Sequence, residues 1–502
     1  MSADQKLTSL VFVPFPIMSH LATAVKTAKL LADRDERLSI TVLVMKLPID
    51  TLISSYTKNS PDARVKVVQL PEDEPTFTKL MKSSKNFFFR YIESQKGTVR
   101  DAVAEIMKSS RSCRIAGFVI DMFCTPMIDV ANELGVPTYM FFSSGSATLG
   151  LMFHLQSLRD DNNVDVMEYK NSDAAISIPT YVNPVPVAVW PSPVFEEDTG
   201  FLDFAKRFRE TKGIIVNTFL EFETHQIRSF SDDKKIPPVY PVGPILQADE
   251  NKIQQEKQKH AEIMRWLDKL PDSSVVFLCF GTHGYLEGDQ VKEIAVALEN
   301  SGHRFLWSLR KPPPKEKVEF PGEYENSEEV LPEGFLGRTT GMGKVIGWAP
   351  QMAVLSHPTV GGFVSHCGWN SVLESVWCGV PMAVWPLSAE QQANAFLLVK
   401  EFEMAVEIKM DYKKNANVIV GRETIEKAIR QLMDPENEIR VKVRALKEKS
   451  RMALIEGGSS YNYLKRFVEN VVRSRAEGIH GEEEATVAST TAAIALFSPA
   501  IT

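Results

Sequence analysis

Short apolar runs alternate with longer segments of helical periodicity along most of the chain. The runs are rich in Val, Ile and Phe and almost continuously hydrophobic, which is typical of parallel strands covered by helices on both faces. Between them, residues 21–34 and 290–302 carry apolar side chains at helical spacing, and the second segment ends at Gly302, as a helix would. The alternation predicts a doubly wound α/β architecture repeated in two halves. The runs span residues 10–15, 40–45, 116–121, 138–143 and 213–218, then 274–281, 304–309, 344–349, 361–366 and 382–387.

A change in composition separates the two halves. Residues 237–246 are punctuated by proline, and residues 248–260 are polar and charged, a composition typical of surface linkers. A chain of 502 residues also exceeds what one hydrophobic core usually serves. We therefore expect two domains of comparable size, an N-terminal one over residues 1–246 and a C-terminal one over residues 247–472.

Two further segments lie outside this alternation. Residues 311–326 are rich in proline and charge and are predicted to form an exposed loop. Residues 473–502 contain an acidic patch followed by an Ala/Ser/Thr run, which predicts a disordered tail. Pro14 and Pro16 interrupt the first apolar run, which is typical of a strand and turn and not of a signal peptide. No run approaches the ~20 apolar residues of a membrane span, so we expect a cytoplasmic protein with no integral membrane segment.

Composition and charge exclude several classes of protein. Hydrophobic residues make up 44% and charged residues 24%, as in ordinary globular chains, and the net charge of −7 argues against nucleic-acid binding. The five cysteines are widely spaced and form no C-x-x-C pair, which favours a reducing compartment without disulfides. The nine histidines include no H-E-x-x-H pair, and no Cys/His group has zinc spacing. A metal site is therefore not expected.

Neither of the two common glycine-rich nucleotide motifs is present. The nearest candidate for a dinucleotide-binding loop, residues 341–347, has the wrong spacing and leads into a strand instead of a helix. A P-loop needs four residues before its Gly-Lys pair, whereas five separate Gly337 from Gly343–Lys344, and Val345 replaces the required Ser or Thr. The missing glycine fingerprint nearly excludes a nicotinamide-dependent oxidoreductase.

Polar residues follow several of the predicted strands. Ligands of open α/β sheets bind beyond the carboxyl ends of the strands, and in the first half these positions include His20, Asp121 and Ser143. A histidine and an aspartate in one crevice can act as a general base and its orienting partner, because the carboxylate fixes the imidazole tautomer and stabilises the imidazolium. Taken alone, such a pair is more often structural than catalytic.

Residues 348–391 carry a more specific pattern. In this segment a strand runs into Gly368, which permits a tight turn into a helix whose first turn includes Asn370 and Ser371. The unpaired N–H groups and the dipole of a helix start favour a diphosphate, and His366 can add a further donor. The turn is therefore predicted to bind the diphosphate of a nucleotide.

The same segment offers groups for the rest of a nucleotide sugar. The indole of Trp348 presents a flat face for a base, and Glu374, one turn into the helix, can accept hydrogen bonds from a ribose diol. Glu390 and Gln391 follow another predicted strand and provide acceptors and donors for sugar hydroxyls. Together these groups predict a complete site for a nucleotide sugar.

Residues 348–391 closely resemble the donor-binding box of the plant family 1 UDP-glycosyltransferases in length and at nearly every fixed position. The resemblance covers residues 7–472 and is greatest to the branch that acts on phenolic acceptors such as flavonoids. It implies a GT-B fold, in which two Rossmann-like, doubly wound parallel-sheet domains face a cleft, and an inverting mechanism without a metal. Other segments that resemble the family are residues 14–31, 118–124, 141–151, 240–246, 277–299 and 305–310.

The resemblance also implies roles for individual residues. It makes His20 the catalytic base and Asp121 its partner. It places acceptor binding in the N-terminal domain and UDP-sugar binding in the C-terminal domain, whose final helix packs back on the N-terminal domain. It assigns uracil stacking to Trp348, a nucleoside contact to Gln351, diphosphate contacts to Thr282, His366, Asn370 and Ser371, the ribose contact to Glu374, sugar contacts to Trp369, Glu390, Gln391 and Ser143, and a further UDP-sugar contact to Ala349.

The expected activity is transfer of glucose from UDP-glucose to a hydroxyl of a small lipophilic, phenolic acceptor, by a monomer without a cofactor. In the family, Glu390 and Gln391 with an uncharged Trp369 go with glucose, and a histidine at the last position often goes with galactose. No arginine occupies these positions, so a uronic-acid donor would lack a charged partner. The alternative is a GT-B protein that binds a UDP-sugar or a lipophile without turnover, which the intact His20 and Asp121 pair disfavours.

Some positions depart from the family pattern. Ser19 stands where glycine usually precedes the catalytic histidine, and His283 stands where a small or apolar residue is commoner. Ser388 replaces the aromatic residue that usually precedes Ala-Glu-Gln. None of these changes removes a predicted catalytic group, but they bear on the shape of the acceptor pocket. The three phenylalanines at 87–89 are predicted to belong either to the core or to that pocket.

Overall fold

The structure is a computed structural model of the chain. It describes residues 8–47, 53, 64–83, 86–109, 114–196, 200–246, 254–314, 320–414 and 418–473. The predicted tail, residues 473–502, therefore lies outside the described residues from 474 onward.

A seven-stranded sheet forms the N-terminal half, and each of its strands is parallel to its neighbours. The strands of this half are, in chain order, β1 (Thr8–Val13), β2 (Leu38–Val44), β3 (Val65–Gln69), β4 (Arg114–Asp121), β5 (Thr138–Phe142), β6 (Ala175–Ile176), β7 (Val185–Pro186), β8 (Ile214–Val216) and β9 (Val239–Pro241). Strands β6 and β7 form a separate, short antiparallel hairpin. Their order across the sheet is β3-β2-β1-β4-β5-β8-β9. The strands β1, β5 and β8 are buried along their whole length, in keeping with their continuous apolar runs.

A second sheet of six parallel strands forms the C-terminal half. Its strands are β10 (Val275–Cys279), β11 (Arg304–Ser308), β12 (Gly343–Ile346), β13 (Val360–Ser365), β14 (Met382–Val384) and β15 (Ala405–Glu407). Their order across the sheet is β12-β11-β10-β13-β14-β15. The prediction of two doubly wound α/β halves is confirmed.

Helices cover opposite faces of the sheets, because alternate strand residues point to opposite sides. Leu10 of β1 lies in one apolar cluster with helix Met18–Arg34, and Val11 lies in another with helix Lys96–Ser109. The remaining α-helices are Glu74–Ser83, Phe87–Ser94, Met127–Glu133, Ser146–Asp160, Phe201–Phe208, Thr224–Ser229, Gln254–Leu267, Gly288–Ser301, Phe335–Arg338, Gln351–Leu355, Trp369–Cys378, Gln391–Phe396, Arg422–Met433, Ile439–Leu454 and 459–473. Shorter 3₁₀ segments are Val166–Tyr169, Val187–Val189, Ser192–Phe195, Phe230–Asp232 and Ser327–Glu329, and Leu397–Glu401 is a π-helical turn.

Several elements lie outside the predicted set. The strands β3 and β15 are missing from it, and β9 falls within residues 237–246, which were interpreted as part of the domain break. As an edge strand, β9 tolerates proline, which lacks an N–H group. Residues 248–260 were interpreted as a linker, but they overlap helix Gln254–Leu267, whose buried Ile263 and Leu267 follow the charged stretch. The predicted linker was therefore too long, since residues 254–260 belong to the helix.

The order of strands reverses at an equivalent place in both sheets. In the first sheet β1 lies beside β4, and in the second β10 lies beside β13. Open α/β sheets bind ligands at such switch points, beyond the carboxyl ends of the strands. His20 follows β1 and Asp121 ends β4, while Thr282 follows β10 and His366 follows β13. The topology therefore brings candidate residues from both halves to two facing crevices.

The C-terminal helix returns to the first sheet. Residues 459–473 form this helix, and its Leu464 and Phe467 belong to the same apolar cluster as Leu10 of β1. The ring of Phe467 lies 5.1 Å from that of Tyr139, centroid to centroid. The helix therefore completes the core of the N-terminal half, although it follows the second sheet in the sequence.

Candidate active site

A hydrogen-bonded pair lies at the switch point of the first sheet. His20, in the first turn of helix Met18–Arg34, places its Nδ1 2.7 Å from Oδ2 of Asp121. The other carboxylate oxygen of Asp121 accepts the N–H of Phe123 at 3.0 Å. Burial lowers the pKa of His20, but the charge and hydrogen bond of Asp121 outweigh it and raise the pKa above its ordinary value. Because Nδ1 is bonded to Asp121, Nε2 is the nitrogen that can accept a proton from a ligand.

His366 lies at the switch point of the second sheet, between two glycine backbones. A Cβ atom on Gly281 or on Gly368 would come within 2.5 Å of His366 Nε2, so glycine is required at both positions. Burial, with a smaller contribution from His283, lowers the pKa of His366 to about 4. The ring is therefore neutral at pH 7. Its Nδ1 is buried without a hydrogen-bond partner in the part of the chain that the structure describes.

The helix Trp369–Cys378 begins beside His366. Gly368 is its N-cap residue, and no side chain caps its N-terminus. Gly368, Asn370 and Ser371 of this turn line a cavity together with Thr282, which follows β10. Uncapped N–H groups at a helix start, with the helix dipole behind them, favour an anion such as a diphosphate. The predicted diphosphate residues therefore lie together.

Gln351 connects two of the predicted subsites. Its Nε2 lies 2.8 Å from both Ser371 Oγ and Glu374 Oε2. These bonds hold the carboxylate of Glu374, which is only 7% exposed, beside the start of the helix. The side chain predicted to contact the nucleoside is thus bonded to the residues predicted to contact the diphosphate and the ribose.

Trp348 forms an exposed edge of the cavity. Its side chain retains 36% exposure, and its backbone N–H donates to Glu323 Oε1 at 2.9 Å. The second oxygen of Glu323 accepts from Lys259 Nζ at 2.8 Å. Ala349, the next residue, is buried in the same wall. A loop carboxylate therefore fixes the backbone of the predicted uracil-stacking residue.

Glu390 and Gln391 also line the cavity. Gln391 Oε1 accepts the N–H groups of Leu387 at 2.8 Å and Ser388 at 3.0 Å, which commits the amide oxygen and directs the NH₂ group away from this loop. Burial raises the pKa of Glu390, whereas the nearby His20 acts to lower it. Glu390 therefore approaches the histidine of the other half across the cavity.

The indole of Trp369 lies against the first half of the protein. Its indole N–H donates to the backbone oxygen of Asn217 at 2.7 Å, and its ring stacks on Phe222 with a centroid distance of 5.7 Å. The side chain is 2% exposed. Trp369 therefore joins the two halves, and its indole N–H is already bonded, so only its ring and backbone remain for a sugar.

All these groups meet in one cavity of about 340 Å³, to which both halves contribute. His20 and every residue predicted to contact a UDP-sugar line it, whereas Asp121 lies behind His20 and does not. Ser143 belongs to the wall from the first half, with its Oγ 3.6 Å from Met122 Sδ. The sequence-predicted set is thus brought together by the fold.

A second cavity of about 450 Å³ is mostly aromatic. Two of its residues, Phe15 and Phe123, place their rings 5.6 Å and 5.7 Å from the imidazole of His20, centroid to centroid. Phe88 and Phe89 line this cavity, whereas Phe87 packs on core residue Phe77. The run of three phenylalanines therefore serves both the core and the cavity.

Sequence reasoning missed other residues that line the first cavity or support its wall. Glu323 belongs to the segment predicted as an exposed loop, and nothing in that sequence indicates its bond to the backbone of Trp348. Arg310 and Lys414 both line the cavity. Burial lowers the pKa of Lys414 to about 8. The cavity therefore has cationic side chains in its lining, although none of the residues predicted to contact the sugar is an arginine.

Two other features are absent from the residues that the structure describes. In the parts of the chain that the structure describes, no group of three or more His, Cys, Asp or Glu residues could hold a metal ion. Among the same residues, no helix combines the length and the apolar character that crossing a membrane requires. Cys124, Cys279, Cys367 and Cys378 are free thiols.

Two α/β domains with parallel sheets meet at a nucleotide-sized cavity. A histidine–aspartate pair lies on one side of this cavity, and an uncapped helix start lies on the other. This arrangement defines a nucleotide-sugar transferase of the GT-B class. Residues 18–438 match the family model described as UDP-glucoronosyl and UDP-glucosyl transferase. The chain is 54% identical over 484 residues to UDP-glucose flavonoid 3-O-glucosyltransferase 6 of Fragaria ananassa, covering 94% of this chain and 100% of that relative. This chain belongs to the UDP-glycosyltransferase family of plants and is a glycosyltransferase.

Solved structures agree with this assignment. A UGT transferase from Siraitia grosvenorii in complex with UDP superposes with a TM-score of 0.85 at 47% identity, covering 93% of this chain and all of that one. A Medicago truncatula UGT complexed with UDP-glucose gives a TM-score of 0.82 at 40% identity, with coverage of 93% and 98%. The predicted family, GT-B fold and enzyme class are confirmed.

Proposed function

We propose that this protein is an inverting glucosyltransferase that transfers glucose from UDP-glucose to a hydroxyl of a flat phenolic acceptor. The observation that carries the proposal is the position of His20, which lines the donor cavity while its ring contacts two phenylalanines of the aromatic cavity. A base between a polar nucleotide site and an apolar pocket suits attack by a lipophilic hydroxyl on a bound sugar. The names of the relative and of the UDP-glucose complex support the same donor.

In the proposed reaction, Nε2 of His20 takes the proton of the acceptor hydroxyl as its oxygen attacks the anomeric carbon of glucose. The bond from that carbon to the diphosphate oxygen breaks, and UDP leaves with the electron pair. Attack from the face opposite to UDP inverts the anomeric configuration. Asp121 accepts a hydrogen bond from the imidazole and stabilises the positive charge that it acquires.

The leaving diphosphate would be received by neutral donors. The start of helix Trp369–Cys378 supplies N–H groups, and His366, neutral because of burial, can donate one hydrogen bond without competing with His20 for a proton. These donors support a reaction that needs no metal ion. The buried free thiols Cys124, Cys279 and Cys367 suit a reducing compartment such as the cytoplasm.

A non-catalytic protein that binds a UDP-sugar is the alternative. The short hydrogen bond between His20 and Asp121 favours turnover. Both residues belong to the N-terminal domain, and binding a nucleotide to the C-terminal domain gives no reason to hold a buried carboxylate against a histidine there. The decisive experiment incubates purified protein with UDP-glucose and a panel of phenolics and detects products by mass spectrometry. Products larger by one hexose support the transferase, and UDP-glucose binding without any product would establish the alternative.

Replacing Trp348 with alanine should weaken UDP binding by ~1–3 kcal/mol, because the base loses a stacking partner. Isothermal titration calorimetry with UDP measures the change directly. Trp377→Ala is the matched control, since this tryptophan belongs to the same domain and contacts Arg451 outside the donor cavity. If UDP bound both variants as it binds the wild type, uracil would have to lie elsewhere.

Donor choice should favour UDP-glucose over UDP-galactose by at least ~10-fold in kcat/KM. The amide of Gln391 is fixed by two backbone N–H groups, so its NH₂ group cannot turn to follow an inverted 4-hydroxyl. Leaving one buried partner unpaired costs ~1–3 kcal/mol. Competition between the two donors in one reaction, read by mass spectrometry, measures the ratio, and equal incorporation would contradict this role of Gln391.

UDP-glucuronate is also expected to be the poorer donor by ~10-fold or more, because none of the residues predicted to contact the sugar is an arginine that could pair with its carboxylate. Lys414 is the residue that tests this reason, since it lines the same cavity and its pKa is lowered to about 8. Lys414→Met in the same competition assay shows whether Lys414 serves as the cationic partner of the donor carboxylate. Efficient use of glucuronate that disappears in this variant would show that Lys414 pairs with the carboxylate.

A further inference from the structure

The aromatic cavity is closed by residues from both halves of the protein. Phe15, Phe89 and Phe204 belong to the N-terminal half, as do most of the other lining residues. His283 and Phe320 lie in the C-terminal half, which carries the donor site, and His283 lines the donor cavity as well. The donor domain therefore supplies one wall of the cavity proposed to receive the acceptor.

Both walls carry aromatic side chains. On the donor-domain side, the rings of His283 and Phe320 are 4.8 Å apart with an interplanar angle of 46°. On the other side, Phe204 contacts Phe89 at 5.6 Å and Phe123 at 5.8 Å in edge-to-face geometry. Phe320 keeps 38% of its surface exposed, so it has area to bury against a ligand. A flat aromatic molecule between these walls can contact both.

Phe320 is held in place by the backbone that follows it. The guanidinium of Arg310 donates to the carbonyl oxygens of Pro321 and, at 3.1 Å, of Gly322. Gly322 also exchanges two backbone hydrogen bonds of 3.0 Å with Lys311. These bonds anchor the loop backbone immediately after Phe320, and an anchored loop loses less entropy when a ligand binds.

We propose that Phe320 and His283 determine acceptor specificity, by selecting multi-ring aromatic acceptors that contact both walls over single-ring phenols that reach only the side of His20. The inference rests on the proposed function, because it treats the aromatic cavity as the acceptor site. A single ring packed on Phe15 and Phe123 lies beside the base without needing the donor-domain wall. A three-ring acceptor extends further and gains the contact with Phe320.

The test compares quercetin, a three-ring flavonol, with 3,4-dichlorophenol, a single-ring phenol. Phe320→Ala should raise both the Kd and the KM for quercetin by ~5–20-fold, through the loss of an aromatic contact and its buried area. His283→Ala should act in the same direction. For Phe320→Ala, which lies outside the donor cavity, the Kd and KM for dichlorophenol and the KM for UDP-glucose should stay within ~2-fold. Val441→Ala, at an exposed position remote from both cavities, is the control.

Binding is measured by calorimetry in the presence of saturating UDP, so the result does not depend on turnover. In the Phe320→Ala variant, an equal loss for both phenols, no loss for quercetin, or a raised KM for UDP-glucose would overturn the assignment. Phe320→Leu, which keeps most of the volume, gives a milder quercetin-specific effect if the alanine variant does not fold. If the variants bind quercetin selectively more weakly but the wild type forms no glucoside, the role of Phe320 and His283 in selecting ligands is upheld and the transferase proposal is rejected.

Discussion

Replacing His20 with alanine is expected to lower kcat by ~10²–10⁴-fold, the usual consequence of losing a general base. Without the imidazole, the acceptor hydroxyl has no positioned group to take its proton, and Asp121 lies behind His20 and outside the cavity wall. The affinity for UDP should barely change, because the nucleotide groups belong to the second domain. Steady-state kinetics with a flavonol and calorimetry with UDP provide the two measurements.

The matched control is His225→Ala, an exposed histidine on helix Thr224–Ser229. It should retain wild-type kcat and UDP affinity. A His20→Ala enzyme that glucosylates the flavonol at nearly the wild-type rate would reject the base mechanism. A large loss of UDP affinity would show instead that this histidine acts in donor binding.

Asp121→Asn should lower the maximal rate to a similar degree and also change its dependence on pH. A general base works only when unprotonated, so the wild-type rate should rise as pH increases through the pKa of His20. Asp121 raises that pKa. Removing its charge lowers the pKa, so the acid limb of the profile should move to lower pH while the plateau falls.

The profile of kcat/KM against pH for the acceptor measures both effects. Asp129→Asn serves as the control, because this carboxylate pairs with Lys96 and Arg207 at the surface and not with His20. Its profile should match the wild type. An Asp121→Asn profile with an unmoved or alkaline-shifted acid limb would contradict the electrostatic part of the argument, even if the rate fell.

The strand ends explain why much of the site could be predicted from the sequence. Buried parallel strands have continuous apolar runs, and the polar residue after each run must lie at the carboxyl edge of a sheet. His20, Asp121 and His366 were located in this way, and the structure places them at the two switch points. The turn through Gly368 could also be predicted, because a glycine between a strand and a helix indicates close backbone approach.

Other features depend on contacts that no local pattern encodes. The bond from Trp348 to Glu323 joins residues 25 positions apart, and the bond from Trp369 to Asn217 joins residues 152 apart. The second of these changes the interpretation of Trp369, because its N–H is committed to the other domain. Whether a polar or aromatic side chain faces a ligand or a neighbouring domain is decided by tertiary packing, which periodicity does not report.

The returning helix at residues 459–473 has a consequence for building hybrid enzymes. Its Ser460 bonds to the carbonyl of Gly243 at 2.6 Å, and its Asn470 bonds to the hydroxyl of Tyr240 at 2.7 Å, so its partners are side chains and backbone of the first half. A chimera that takes its acceptor half from one relative and everything after a single junction from another would separate this helix from its native surface. Two junctions, one after residue 246 and one before residue 459, would keep the helix with the sheet it completes.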